Sequence, residues 1–289
     1  MVLTKLVRSR ILNSMNRLEI SQQMQIVSAF VEGNGVRATS GMTGCSPVTV
    51  LKLLNDLGCA CAGYHNRTVR NLKVRRLQCD EIWCFEGAKA KNTTPEQEGW
   101  GDVWTWVGID ADTKLVVSYL VGGRDGGWAK DFIEDCAKRI SNRVRITTDG
   151  HKPYLEAAEE AFVAEIDYAM LQKIYGAPSD EETRRYSPAK CIGCDLNVVS
   201  GHPDPKHVST SFVERQNLPM PVHMRRFTRL ANGHSKKIDN HHHAVALHYM
   251  FYNFCKIDQT LRVTPAMDAG LTDHVWSLQE LVGLIRLQQ

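Results

Sequence analysis

The chain has 289 residues, 43% hydrophobic and 23% charged, with a net charge of +3. That content of apolar side chains builds a core of ordinary domain size with a smaller module beside it, and it excludes a disordered or collagen-like chain. No apolar run approaches the roughly 20 residues of a membrane-spanning helix, so no membrane partner is expected.

Nine cysteines, an odd number scattered through a long chain, do not read as a disulfide framework and point to a reducing compartment. The basic stretch 1–12 leads into polar Asn13, Ser14 and Asn16 without a long apolar core. No secretory signal is read there, and a cytoplasmic location is expected. Charge is segregated along the chain. Residues 66–76 hold Arg67, Arg70, Lys73, Arg75 and Arg76 without an acid, and residues 224–237 hold Arg225, Arg226, Arg229, Lys236 and Lys237, again without one. Acids gather at 156–167 and 180–182. Basic tracks of this kind suit an anionic polymer, although each run alone also fits a solvated loop or helix face.

Three helices are predicted in residues 18–58. The first covers 20–32 and stops at Gly33, and the second covers 36–42. The third covers 48–57, with Ser46 as N-cap, Pro47 at the first helical position and Gly58 as its end. Helix, short helix, tight turn and helix is the helix-turn-helix plan, whose last helix enters the major groove of DNA. Ser46, Thr49 and Lys52 are its candidate contacts. We therefore assign 1–62 to a helix-turn-helix module and 63–76 to a basic linker.

From residue 77 the pattern turns to strands. Residues 77–85 alternate around Asp80, and 103–109 and 115–121 are β-branched runs joined by a turn at 110–114, which predicts a hairpin. A helix follows at 128–140, then a buried strand at 144–148 ending in Asp149-Gly150, a helix at 153–162 and a strand at 164–169. Residues 171–207, rich in Gly, Pro and charge, read as an irregular insertion. Helical patterns return near 211–217 and 238–257, and a tail at 258–289 contains a helix at 278–287. The fold class is α/β. This order matches a ribonuclease-H-like mixed sheet flanked by helices, spanning 77–257.

Cutting and rejoining phosphodiesters with metal ions requires two divalent cations about 3.5–4 Å apart, gripped by carboxylates. Asp80 stands inside an apolar strand, where an uncompensated charge is costly. Asp149 stands at a strand end, where open α/β sheets place their chemistry. Glu214 opens a helix that can lean over the same edge. Each alone has an ordinary explanation: a satisfied core acid, a turn residue and a helix surface charge. Glu81 is expected to point away from Asp80, by the period of two along a strand. Asp110 competes for the second position, but its Asp-Ala-Asp-Thr-Lys context is ordinary hairpin chemistry.

Several weaker signals stand beside these. Cys191 and Cys194 with His202 and His207 have a knuckle-like spacing, but the gaps match no standard zinc template and structural zinc is not expected. His241, His242 and His243 cannot converge on one ion from a helix, since neighbouring side chains point about 100° apart. His151 is a candidate for the scissile phosphate or a simple turn residue. Trp83, Trp104 and Trp106 are expected in the core. Serine and tyrosine recombinase chemistries lack the clustered arginines that they need around a nucleophile.

The chain resembles the transposases of the IS1 insertion-sequence family, in the single-frame form with a fused helix-turn-helix. The resemblance rests on VRRLQCDEIW at 74–83, TTDGHKPY at 147–154, STSFVERQNL at 209–218, MRRFTRLANGHSKK at 224–237 and YNF at 252–254. It implies a catalytic DDE triad of Asp80, Asp149 and Glu214 that also ligates two Mg²⁺ ions, with Mn²⁺ able to substitute. It further implies terminal inverted repeats and target double-stranded DNA as partners, a homo-oligomer on DNA and a nucleoid-associated location. Arg215 and Asn217 join the basic residues above as candidate DNA contacts. One position departs from the pattern: seven residues after Glu214, where such transposases commonly carry Lys or Arg, stands Pro221, with Pro219 close by. Arg215, Arg225 or Arg226 are the substitutes, and an impaired copy that still binds transposon ends is the alternative reading.

Overall fold

A computed structural model describes residues 18–162, 166–176, 191–228 and 234–288. Helix α1 (Ile20–Val31) packs with α2 (Val36–Thr43) and α3 (Pro47–Thr68). Strands β1 (Arg76–Glu86), β2 (Gly101–Asp110) and β3 (Val116–Gly122) follow, then α4 (Gly126–Arg139), β4 (Val144–Thr148), α5 (Pro153–Phe162), β5 (Ile166–Tyr175) and β6 (Cys191–Ser200). The chain continues through α6 (Ser211–Asn217), α7 (Met220–His223), α8 (Ile238–Phe254), α9 (Pro265–Asp268) and α10 (Leu278–Gly283). The six strands form one mixed sheet in the order β3-β2-β1-β4-β5-β6. β1, β4 and β5 run parallel, and the flanking β2, β3 and β6 run antiparallel to their neighbours.

Both faces of the sheet are covered. Leu77, Cys79 and Trp106 face one apolar layer with Phe132 of α4 and Tyr154 of α5. Val107, Ile109 and Val116 face the other, with Val213, Met220 and Tyr249 from α6, α7 and α8. The alternation of inward and outward positions along β1 and β2 follows from the two-residue period of a strand. Among the described residues no helix is long and apolar enough to cross a membrane.

The N-terminal helices are not a separate module. Ser46 caps α3 through the Thr49 amide, with Pro47 behind it. Gly58 does not end this helix, which runs ten residues further to Thr68. It therefore absorbs the first half of the segment read as a linker. Gly58 is instead a contact residue: a Cβ there would lie 2.4 Å from His243 Cβ and 2.5 Å from His243 Cα. The missing side chain lets α3 and α8 cross closely, and Leu54 and Leu57 join the same core as Leu247 and Met250. Gly58→Ala collides with backbone, so overpacking should lower stability by about 3 kcal/mol and the melting temperature by roughly 5–10 °C, read by calorimetry. An unchanged melting temperature would contradict this crossing.

Two further departures concern the second half of the chain. Residues 171–207 are not wholly irregular, since β5 extends to Tyr175 and pairs with β6 over eight positions. The tail at 258–289 is part of the fold, with Ile285 packed beside Ile26, Val50 and Leu53. As expected from Pro219 and Pro221, the helix that carries Glu214 ends at Asn217, and Leu218 and Pro219 separate α6 from α7. The readings at 1–17, at 180–182 and at Arg229, and the start of the strand read at 164–169, lie outside the described residues.

Candidate active site

β1 and β4 pair only over Arg76–Gln78 against Arg145–Thr147. Beyond that β4 ends at Thr148, and the edge of β1 from Asp80 onward opens into a cleft of about 1180 Å³. Asp149 stands at the end of β4. Its Oδ1 accepts from the His151 amide at 3.0 Å, which tightens the turn into α5 and fixes the carboxylate. Oxygen atoms of Asp80, Glu81 and Asp149 all lie within 4.8 Å of one another.

Glu81 was expected to point away, and its side chain does leave the opposite face of β1. It meets Tyr154 of the α5 layer, while Asp80 meets Asn217 of α6. With no partner strand along that edge, the two tips bend round it toward Asp149. A period-two argument fixes the face of a side chain, not the reach of its last atoms past an open edge.

Glu214 lines the same cleft but stands outside that group of three. Gln78 brings it there: the buried Gln78 Oε1 accepts from the amides of Phe212 at 2.9 Å and Val213 at 3.2 Å, seating α6 on β1 two residues from Asp80. The Glu214 carboxylate accepts from Thr210 Oγ1 and pairs with Lys173 Nζ of β5.

The electrostatics follow from burial and crowding. Burial, then the neighbouring Asp149 charge, pushes the Asp80 carboxyl up to about 6, against the opposing hydrogen bond from Asn217 Nδ2 at 2.8 Å. Burial and Asp149 likewise push Glu81 up to about 7, although Arg124 opposes the shift. Like charges crowded in a partly dry pocket favour the protonated forms. A divalent cation relieves the same strain, and hard oxygen donors are the set that Mg²⁺ or Mn²⁺ takes. Asp80, Glu81 and Asp149 are close enough to hold such an ion, and Glu214 lines the same cleft. Among the described residues Asp80, Glu81 and Asp149 are the one group of three potential ligands that converges, and Glu214 is not part of it. Cys191 and Cys194 lie exposed on β6, and His241 is buried, His243 half-buried and His242 exposed, as expected from their helical spacing.

Asp110 is buried at the far end of β2. It accepts from the Asp112 amide at 3.1 Å and from Thr113 Oγ1 at 2.7 Å, the pattern of a turn residue. Of the tryptophans only Trp106 is fully buried; Trp83 and Trp104 form a cleft wall instead.

The candidate DNA contacts divide. Ser46, Lys52, Arg67, Lys73, Arg75, Arg215, Arg225, Lys236 and Lys237 are exposed, and Thr49 is half-buried at the start of α3. His151 lines the cleft with its ring 5.7 Å from that of Trp106. Four others have partners within the chain. Asn217 is buried and holds Asp80, and Arg226 reaches inward to Ser235 beside Glu86. Arg76 pairs with Asp112, and Arg70 bonds Asn66 and the Lys138 carbonyl. Charge counted along the sequence does not reveal which cations already have internal partners. Glu81, Arg124 and Lys173 line the cleft, and buried Gln78 and Tyr154 brace its residues from behind, without having been singled out as site residues. Of these, Gln78, Glu81 and Tyr154 carried a signal, by standing inside the motifs around Asp80 and Asp149.

The fold and cleft together define an α/β protein whose mixed sheet gathers acidic side chains where β4 ends beside the middle of β1. No protein-family model matches the chain, and no curated protein matches it.

Proposed function

We propose that this chain is a DDE transposase of the IS1 type, with a ribonuclease-H-like catalytic domain. In this reading it cleaves DNA strands at the ends of an insertion sequence and joins the freed 3′ ends to target DNA. The observation that carries the reading is that Asp80, Asp149 and Glu214 line one cleft, from three motifs up to 134 residues apart in the chain. The strand order, with parallel β1 and β4 at the centre and an antiparallel β2–β3 hairpin beside them, supports the ribonuclease-H-like assignment.

Divalent ions, when bound, supply the positive charge that activates an attacking oxygen and stabilises the leaving one. The chain's own part is preorganisation. Asn217 orients Asp80, the His151 amide orients Asp149, and Thr210 with Lys173 holds Glu214. Each acid is thus positioned by a fixed donor before substrate arrives. Exposed Lys52, Arg67, Lys73 and Arg75 offer cations to the DNA backbone, where neutralised phosphates give salt-sensitive affinity.

The test is nicking of supercoiled DNA by the purified protein in Mg²⁺ or Mn²⁺. Asp80→Ala and Glu214→Ala should abolish nicking and strand transfer while DNA binding persists. Retained joining by either variant would remove the proposal. The second reading is an impaired protein that occupies transposon ends without cutting them. The Glu214–Lys173 pair and the helix break at Pro219 favour it, and metal-dependent nicking by the unaltered chain dismisses it.

A further inference from the structure

We propose that Arg124 holds a non-bridging oxygen of a nucleic-acid phosphate in this cleft, with buried Glu81 as its fixed counter-ion; this rests on reading the cleft as a phosphodiester site. Arg124 follows β3 in the turn that leads into α4, outside every motif discussed above. Its Nε and Nη2 lie 2.8 Å and 2.7 Å from the same oxygen, Glu81 Oε1. Glu81 Oε2 accepts from the buried Tyr154 hydroxyl at 3.0 Å. Both oxygens of Glu81 are therefore engaged, which makes it an anchor in the wall.

The pair is asymmetric. The Glu81 side chain is 1% exposed and the Arg124 side chain 39% exposed, so the anion is sealed in while the cation faces the cleft. The guanidinium carbon lies 4.3 Å from the centre of the Trp104 ring, which fixes the plane of the fork. Among the described residues Nη1 has no protein acceptor. A planar guanidinium with one edge anchored and another turned to solvent matches the geometry of a phosphate.

Charge points the same way. The cleft is lined by four carboxylates and three cations, Arg124, Lys152 and Lys173. Lys173 is committed to Glu214, and Lys152 is an exposed, unanchored lysine. Without metal the cleft is net negative and repels phosphate, and two divalent ions reverse its sign. Arg124 is then the cation whose position is set beforehand, which lowers the ordering cost of binding.

The experiment titrates thymidine 3′,5′-bisphosphate and thymidine into the full chain in Mg²⁺ by calorimetry, and titrates Mg²⁺ separately. The unaltered protein should bind the bisphosphate only when Mg²⁺ is present. Arg124→Ala should weaken that binding at least tenfold without moving thymidine binding, and Mg²⁺ affinity should hold or rise as Glu81 is freed. Arg124→Lys should restore only part, because one ammonium cannot serve Glu81 and phosphate together. Arg124→Gln keeps a hydrogen bond to Glu81 without charge and should behave as Arg124→Ala does if alanine upsets folding. Equal bisphosphate affinity in the variants overturns the inference, as does a parallel loss of Mg²⁺ and bisphosphate affinity, which marks a structural strut. In both cases the proposed function stands if the unaltered chain still nicks DNA. Failure of the unaltered chain both to bind bisphosphate and to nick removes the two together.

Discussion

Asp149→Asn should reduce Mg²⁺-dependent strand cleavage by about a thousandfold or more, which is roughly 4 kcal/mol of transition-state stabilisation. The substitution keeps size and hydrogen-bonding shape, so the His151 amide still finds an oxygen acceptor at the start of α5. What disappears is the negative charge that a cation needs at the end of β4. Folding should survive, since Asp149 is a source of repulsion toward both Asp80 and Glu81. The metal-free variant should in fact melt higher than the parent at neutral pH. Single-turnover cleavage and thermal melting on the same preparation decide it. Cleavage at the parental rate, or melting below the parent without metal, would show that the three acids are not a strained metal site.

The second large effect is the pH dependence of stabilisation by Mg²⁺. Asp80 and Glu81 titrate near 6 and 7 in the folded chain, against ordinary values of 3.8 and 4.5. Between about pH 4 and pH 7 the folded chain therefore keeps protons that the unfolded chain has released, and stability must fall as pH rises through that window. The contribution of these carboxyls is fully present below their ordinary values and is gone above about pH 7, a loss on the order of 6 kcal/mol or roughly 15 °C in melting temperature. Excess Mg²⁺ should recover most of this near pH 8 and little near pH 5, where protons hold the same oxygens. Melting curves with chelator and with Mg²⁺ at both pH values give the answer. An equal Mg²⁺ shift at the two would mean that the ions bind elsewhere.

Pro221 gains meaning from Arg124. It lines the same cleft, at the position where the resemblance leads one to expect a cation from the helix after Glu214. Here the fixed cation comes instead from the turn after β3, tied to an acid next to Asp80. A proline in α7 then costs the cleft less than it would if α6 were its only source of positive charge.

The sequence by itself determined most of the local elements. Ser46-Pro47 opens α3, the β-branched runs form β2 and β3, and an acid in the apolar run around Asp80 marks the strand edge. These outcomes depend on capping, side-chain branching and burial within a few residues, which a linear reading contains. Only the tertiary structure decided that Gly58 is a helix crossing instead of a helix end, because the reason lies in His243, far along the chain. It likewise decided that Glu81 reaches Asp149 round an open edge. Arg76 and Arg226 are taken by Asp112 and Ser235, whereas Arg124 is left facing the cleft. Long-range pairing allots charges between the interior and the surface, and spacing along the chain does not encode that allotment.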